Sequence, residues 1–344
     1  MHVIVPAAGL STRFPGMRPK YLLYDYKHEL MIANAINPYL KDNISVTIGI
    51  LKEHNEQYNA TEFLRHEFGS SVNIVILEKP TKGPADTVYQ ILSKMEITFD
   101  TPILVKDCDS FFKHDNIGDN YVCVSKISEH EVLKKLSSKS FVVCNEQGII
   151  KDIIEKSVVS DTFCVGGYKF QSAKLFMETF EKLSQNGELF VSDVIEHCIN
   201  KGTIFTEKRV ADYYYDVGTS QDWFEYNDKP VIFCDIDGTV VKCQSRVGEN
   251  SYDTPALPLQ NNVKRLLELQ EKGAQFIFTT AREHKYRMQT REMLTGLGFK
   301  DFTLIVQLQN SRRILINDYN KANPFPRAEA INIFRDSDNL SDFL

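Results

Sequence analysis

The chain has 344 residues, 42% of them hydrophobic and 25% charged, with a formal net charge of -6. That length exceeds what one core usually organises, so two domains are expected, and the composition is that of a soluble globular protein rather than a disordered or membrane-embedded one. An acidic chain lacks the broad basic surface of a non-specific nucleic-acid binder, so no nucleic-acid partner is expected and any polyphosphate must be held by local charge.

The chain starts on a strand-like run, His2 to Val5, with no basic n-region or apolar h-region, and no later run reaches membrane-spanning length. A cytoplasmic location without a membrane partner is expected. Further apolar runs at Val46 to Ile50, Asn73 to Leu77 and Ile103 to Val105 alternate with helical periodicity at Leu30 to Leu40, Glu53 to Phe68 and Ala85 to Met95. That alternation predicts an α/β fold with a parallel sheet. From Tyr121 to Phe170 the pattern turns to strands (Tyr121 to Ser125, Phe141 to Cys144, Ile149 to Ile154, Phe163 to Phe170), predicting a subregion over the edge of the first sheet. Helices return at Ala173 to Leu183 and Val191 to Asn200.

A polar stretch ending at Pro230 marks a boundary and predicts domains of residues 1–228 and 229–344. In the second, strand, turn and helix restart: Val231 to Cys234, a helix at Leu259 to Lys272, a strand at Ala274 to Thr279, a helix near Tyr286 to Leu297, and strands at Leu304 to Val306 and Ile314 to Ile316. The seven cysteines, Cys108, Cys123, Cys144, Cys164, Cys198, Cys234 and Cys243, show no CxxC spacing and mostly lie in apolar runs, where a free thiol packs as a small hydrophobe. They predict neither a zinc site nor disulfides.

After the first strand the sequence reads Pro6-Ala7-Ala8-Gly9-Leu10-Ser11-Thr12-Arg13-Phe14, then Arg18-Pro19-Lys20. Small residues at a strand end let backbone amides approach a polyphosphate, and Arg13 and Lys20 supply fixed positive charge for phosphoryl transfer. The run fits neither a Walker loop nor the GxGxxG of dinucleotide folds. It resembles the signature loop of the sugar-phosphate nucleotidyltransferases, and the resemblance continues in order over roughly the first 228 residues.

What that resemblance implies is a Rossmann-like domain with a mixed, mainly parallel sheet and a residue-by-residue site. Ala8 and Gly9 would meet the nucleotide, and Lys82-Gly83-Pro84-Ala85-Asp86 would place Gly83 on the nucleobase. Lys106-Asp107-Cys108-Asp109 would supply Asp109 to Mg2+, which Asp216, in Asp216-Val217-Gly218-Thr219, would complete. Glu155-Lys156 would meet the acceptor phosphate, and the turn Gly166-Gly167-Tyr168 would line the acceptor pocket through Gly167. The implied partners are a nucleoside triphosphate and a phosphorylated sugar or polyol. Two departures leave the acceptor and base open: the loop from Arg13 to Lys20 is short, and Ser157 replaces the family's proline. The short loop is most similar to enzymes that activate precursors of surface (capsular) polysaccharides, cytidylyltransferases among them, with CTP, UTP, dTTP and GTP all standing as candidates.

The second domain opens with Val231-Ile232-Phe233-Cys234-Asp235-Ile236-Asp237-Gly238-Thr239. An apolar strand delivers two carboxylates, two residues apart, into a Gly-Thr turn; one can attack phosphorus and the other move protons. The run resembles the first motif of the haloacid dehalogenase superfamily, which implies a small Rossmannoid phosphatase domain with Asp235 as nucleophile and Asp237 as general acid/base. The same resemblance makes Thr280, after Phe276 to Thr279, a phosphate ligand and Asp318, after Ile314 to Asn317, a Mg2+ ligand beside Asp235 and Asp237. The family's phosphate-binding lysine is missing; Arg312 and Arg313 stand nearby, Arg313 being assigned to phosphate, although arginine and lysine are not interchangeable there. Only about 40 residues separate the first two motifs, too few for a cap domain. The site is therefore expected to be capless, with Gln244 to Pro258, including Arg246 and Tyr252, as its candidate flap. The implied substrate is a phosphate monoester. The expectation is a bifunctional enzyme whose second domain is an Mg2+-dependent phosphomonoesterase in the same pathway, with a non-catalytic regulatory or scaffold domain as the alternative; assembly into a homo-oligomer stays open.

Overall fold

The computed structural model describes residues 1–129, 136–183, 187–243, 256–318 and 328–344. The chain divides into two units, Met1–Asn227 and Asp228–Leu344. In the first, strand β1 (His2–Pro6) pairs in parallel with β2 (Ser45–Leu51) on one side and β4 (Ile103–Lys106) on the other. β3 (Val72–Leu77) extends the sheet beyond β2, also in parallel. Alternation along β1 sends Val3 and Val5 into one apolar cluster and Ile4 into another, so both faces of the sheet are covered. All three side chains are buried, each contributing about 1.5–3 kcal/mol.

Helix α1 (Met31–Lys41) belongs to the first face, and α4 (Pro84–Lys94) lays Ala85, Val88, Ile91 and Leu92 on the second. Glu53 to Phe68 is not one helix. It splits into α2 (Lys52–Tyr58) and α3 (Ala60–Phe68) because Asn59 takes the left-handed conformation between them, which asparagine tolerates better than most residues.

The strand-rich middle does not cover the edge of the sheet; it extends the sheet. β6 (Tyr121–Lys126) and β9 (Thr162–Phe170) continue past β4 in antiparallel pairing, giving a main path of seven strands in the order β10-β6-β9-β4-β1-β2-β3, where β10 is Thr206–Arg209. β7 (Phe141–Cys144) and β8 (Ile150–Ile154) pair with each other, and β7 also touches β9. α5 (Ala173–Leu183) and α6 (Val191–Asn200) bury their apolar sides in the second cluster. A separate two-stranded ribbon joins β5 (Ser110–Lys113) to β11 (Ala211–Asp216), and α7 (Ser220–Asn227) closes the unit.

In the second unit β12 (Val231–Asp235), β13 (Gln275–Thr279) and β14 (Thr303–Ile305) form a parallel sheet in that order. Cys234, Phe276, Phe278 and Leu304 face α8 (Gln260–Glu271) and α9 (Arg287–Gly296) through Val263, Leu266 and Leu294. On the opposite face Val231, Phe233 and Ile305 are exposed. The strand expected at Ile314 to Ile316 does not form: the segment has no ladder partner and Ile316 is 91% exposed. Alternating apolar residues satisfy the strand pattern, but a strand needs a neighbouring edge to take up its backbone groups. Among the described residues no helix is long and apolar enough to cross a membrane. All seven cysteines are free, five of them buried.

Candidate active site

β1 and β4 run side by side in parallel, so the loop leaving Pro6 and the segment leaving Lys106 emerge at the same sheet end. Open α/β sheets bind ligands at this end of their strands. The loop is folded on itself: Phe14 donates its backbone N–H to Ser11 at 2.8 Å, and the Ser11 hydroxyl accepts from the Lys20 backbone at 3.1 Å. Ala8 is buried and Gly9 is open. These contacts aim Lys20 across the gap, where its ammonium lies 2.5 Å from Asp109 Oδ2.

The ribbon brings in the second carboxylate. Asp216 pairs in register with Ser110, and Val217 N–H donates to Asp109 C=O at 2.9 Å, so residues more than a hundred positions apart face each other. A Cβ built on Gly218 would lie 3.0 Å from Asp216 Oδ1, 3.1 Å from Asp109 Oδ2 and 3.6 Å from the Arg13 guanidinium. Both carboxylate oxygens thus border one small space, kept clear because residue 218 has no side chain. Two hard oxygen donors around such a cradle suit Mg2+. Asp109 and Asp216 are the residues that would hold it. Among the described residues no group of three or more His, Cys, Asp or Glu side chains is placed to hold a metal, so the fit rests on this pair.

The charges here are strongly coupled. Burial would raise Asp109, but Lys20 and Arg13 outweigh it and hold the carboxyl below its usual range. Burial likewise works against the Lys20 charge, and Asp109 overrides it upward. Burial and Asp109 together push Asp107 up to about 6. Burial pulls Lys106 down to about 8. Its ammonium donates to Asp107 C=O at 2.8 Å, Ser110 C=O at 2.6 Å and Ser110 Oγ at 2.8 Å, which fixes the turn carrying Asp109.

Two further residues shape the site: Lys139, which carried no sequence signal, and Asp107, whose own part the motif did not reveal. Lys139, before β7, sets its ammonium 2.5 Å from Asp216 Oδ2 and donates to the Tyr214 hydroxyl at 2.7 Å. Asp107 accepts, through its side, the close approach of Gly166: a Cβ there would lie 2.4 Å from Asp107 Oδ2. Gly166 takes φ +87°, and the β6–β9 register shifts between Val122 and Val124 opposite it. The expected acceptor turn at Gly166-Gly167-Tyr168 is therefore a bulge inside β9. Gly167 is buried against Cys123 and Phe112, inside the strand.

The remaining residues make their contacts elsewhere in the unit. Gly83 begins α4, its α-carbon closed in by the Leu189 backbone. Glu155 accepts hydrogen bonds from the Ser140 hydroxyl and, at 2.7 Å, from that of Ser192. Lys156 is exposed, in the left-handed region at φ 54°, with its ammonium 3.9 Å from the centre of the Phe190 ring.

The second unit's motif is arranged differently. Asp235 is exposed at the end of β12; the protein packed round its carboxyl and the neighbouring Asp237 push it upward, against Arg313 and Arg335. Asp237 is committed: Arg282 grips it through Nη2 at 2.7 Å and Nε at 3.1 Å, and the Thr280 hydroxyl donates to it at 3.0 Å. Thr280 is fully buried and Arg282 nearly so. Arg313 Nη1 donates to the carbonyls of Gln309 and Ser311 at 2.9 and 2.5 Å. Asp235, Asp237 and Asp318 do not make a metal cluster, because the strand meant to deliver Asp318 is absent and Asp318 is exposed. Arg335, unforeseen from sequence, packs on the DxDGT turn, its side chain 2.7 Å from where a Gly238 Cβ would stand, and Asp336 N–H donates to Gly238 C=O at 2.9 Å. Arg246 and Tyr252 lie outside the described residues.

With this geometry in place, comparison with known proteins defines the class: residues 7–230 match the nucleotidyl transferase family model, and the chain belongs to that family. Among individual relatives, the bifunctional protein GlmU of Thermodesulfovibrio yellowstonii is 25% identical over 225 residues, covering 59% of this chain and 45% of that protein. The chain thus spans less than half of that relative's length. A nucleoside-diphosphate-sugar pyrophosphorylase from Vibrio cholerae RC9 superposes with a TM-score of 0.56 at 20% identity, over 65% of this chain and 98% of that one. The inositol-1-phosphate CTP transferase of T. maritima does so with a TM-score of 0.53 at 16% identity, over 64% and 90%. These two likenesses establish a shared fold.

Proposed function

We propose that the first unit transfers a nucleotidyl group from a nucleoside triphosphate to a phosphorylated sugar or polyol. A phosphate oxygen of the acceptor forms a bond to the α-phosphorus, the bond from that phosphorus to the β-phosphate oxygen breaks, and pyrophosphate leaves. The observation that carries this reading is the convergence of Asp109 and Asp216 on the space at Gly218, beside Arg13 and Lys20. A Mg2+ ion held by those two carboxylates supplies charge neutralisation and a template for in-line displacement. The chain's own contribution is positional. Ala8 and Gly9 offer backbone approach to the phosphates, Arg13 and Lys20 offset the charge that builds on them, and Glu155 and Lys156 stand for the acceptor side.

The experiment incubates the full chain with Mg2+, each of CTP, UTP, dTTP and GTP, and a panel of sugar and polyol phosphates, reading pyrophosphate. Release with at least one pair, lost in Gly218→Ala while the thermal transition persists, is the expected result. Silence across the panel, or full release by Gly218→Ala, overturns it.

For the second unit, the grip of Arg282 and Thr280 on Asp237 favours the regulatory or scaffold reading over a phosphomonoesterase. A general acid/base must exchange protons with substrate, and a carboxylate held this way is poorly placed to do so. Magnesium-dependent hydrolysis of p-nitrophenyl phosphate, abolished by Asp235→Asn, would restore the phosphatase reading.

A further inference from the structure

Lys139 is only 7% exposed, yet it sits next to the proposed metal site rather than in the core. A buried ammonium needs compensation, and Lys139 has it: Asp216 at 2.5 Å, the Tyr214 hydroxyl at 2.7 Å, and the rings of Tyr214 and Phe163 at 5.1 and 5.3 Å. The other oxygen of Asp216 already accepts from Gly218 N–H at 3.0 Å. A divalent ion binding Asp216 therefore meets a competing cation on the same carboxylate. Lys156, the lysine that the family resemblance pointed to, does not occupy this place, since its ammonium rests on Phe190.

We propose that Lys139 is a phosphate-binding residue of the transferase site, parked on Asp216 until a divalent ion takes that carboxylate. Two positive charges on one carboxylate repel, so the arriving ion loosens the ammonium, which is then available to a phosphate oxygen of the bound substrate. Tyr214 keeps the side chain within reach during this exchange. The metal site is thereby held in reserve until a phosphate is present to receive the lysine. This rests on the transferase reading above, and it adds a residue and an order of events to it.

The test measures Mn2+ binding to the full chain by electron paramagnetic resonance, alone and with inorganic pyrophosphate or glucose 1-phosphate, in wild type, Lys139→Met, Lys139→Arg and Tyr214→Phe. Lys139→Met removes the competitor, so Mn2+ alone should bind about tenfold more tightly, while Mn2+-dependent binding of one phosphate probe should weaken about tenfold or more. The probe that weakens identifies whether Lys139 serves the triphosphate side or the acceptor side. Lys139→Arg should recover both affinities in part, and Tyr214→Phe should shift both in the Lys139→Met direction by less. A structural lysine would not give opposite signs for metal and phosphate. Unchanged or weaker Mn2+ binding in Lys139→Met, or unchanged affinity for both probes, overturns the proposal while leaving the transferase reading intact. Wild-type protein that binds no Mn2+ under any condition overturns both. Should Lys139→Met fail to fold, Tyr214→Phe decides alone, and no shift in either affinity rejects the role.

Discussion

In the first unit the acidic pair sits where two neighbouring parallel strands end inside a sheet covered on both faces, and a separate ribbon bolts the second carboxylate to the first. In the second unit a similar strand-borne acidic motif ends β12, which among the described residues is an edge strand of a three-stranded sheet with apolar side chains exposed on one face. Parallel sheets are ordinarily covered on both faces. The difference lies in what supports the carboxylates. Asp109 and Asp216 are brought together by backbone pairing of the β5–β11 ribbon, and each is held by a lysine through one oxygen, Lys20 on Asp109 and Lys139 on Asp216. Asp237 is aligned by a charge partner, Arg282, which spends the oxygens it positions.

The sharpest break in that comparison is by substitution at the two motifs. Asp109→Asn should lower pyrophosphate release by about 10²–10³-fold, measured as kcat well below the thermal transition. An equal loss from Asp235→Asn would show that the two acidic sites act as one. Next in size, Arg282→Met should destabilise the second unit by about 3 kcal/mol in urea unfolding, because it leaves Asp237 partly buried without its counter-charge. Adding Asp237→Leu should recover much of that loss, as two apolar groups replace an ion pair. Gly166→Ala should cost the first unit about 2–3 kcal/mol, from a left-handed backbone and a Cβ pressed on Asp107 and Ser110.

The sequence was readable where chemistry coincides with local pattern. The loop from Ala7 to Lys20 and the Asp107 to Asp109 segment each follow an apolar strand, β1 and β4, and the structure sets those strands side by side. What escaped depends on distant partners. Lys139 stands in a polar stretch, Leu136-Ser137-Ser138-Lys139-Ser140, with no periodicity to mark it, and its partner Asp216 lies in another ribbon. The same is true of Arg282, whose carboxylate partner Asp237 lies in the turn after β12, and of Arg335 near residue 344. The strand β5 hides behind the acidic turn, although Phe111 and Phe112 carry β propensity. Two readings failed in the opposite way, where pattern was present without its context. Apolar spacing continued through Asn59, which breaks the helix, and Ile314 to Ile316 alternated like a strand with no edge to join.

The finest distinction between the two sites is how each raises a carboxyl group. Asp107 is pushed up to about 6 by burial and by the Asp109 charge. A carboxyl raised in the folded state binds its proton there first, so between its unfolded value near 4 and about 6 the folded protein holds more protons than the unfolded chain. Stability should therefore rise as pH falls from about 6 towards 4. Above 6 the ionised Asp107 is a constant cost, and Asp107→Asn should stabilise the first unit by about 1–2 kcal/mol at pH 8, the gain fading below pH 6. Urea unfolding of both proteins across pH 4.5 to 8 reads this out, and a gain independent of pH would mean that Asp107 titrates normally. Because Asp109 contributes to the shift, the pH slope should flatten in Asp109→Asn. In the second unit Asp235 is also pushed upward by its surroundings and by Asp237, but Arg313 and Arg335 pull against them, so the stability change caused by Asp235→Asn should vary less with pH than that caused by Asp107→Asn.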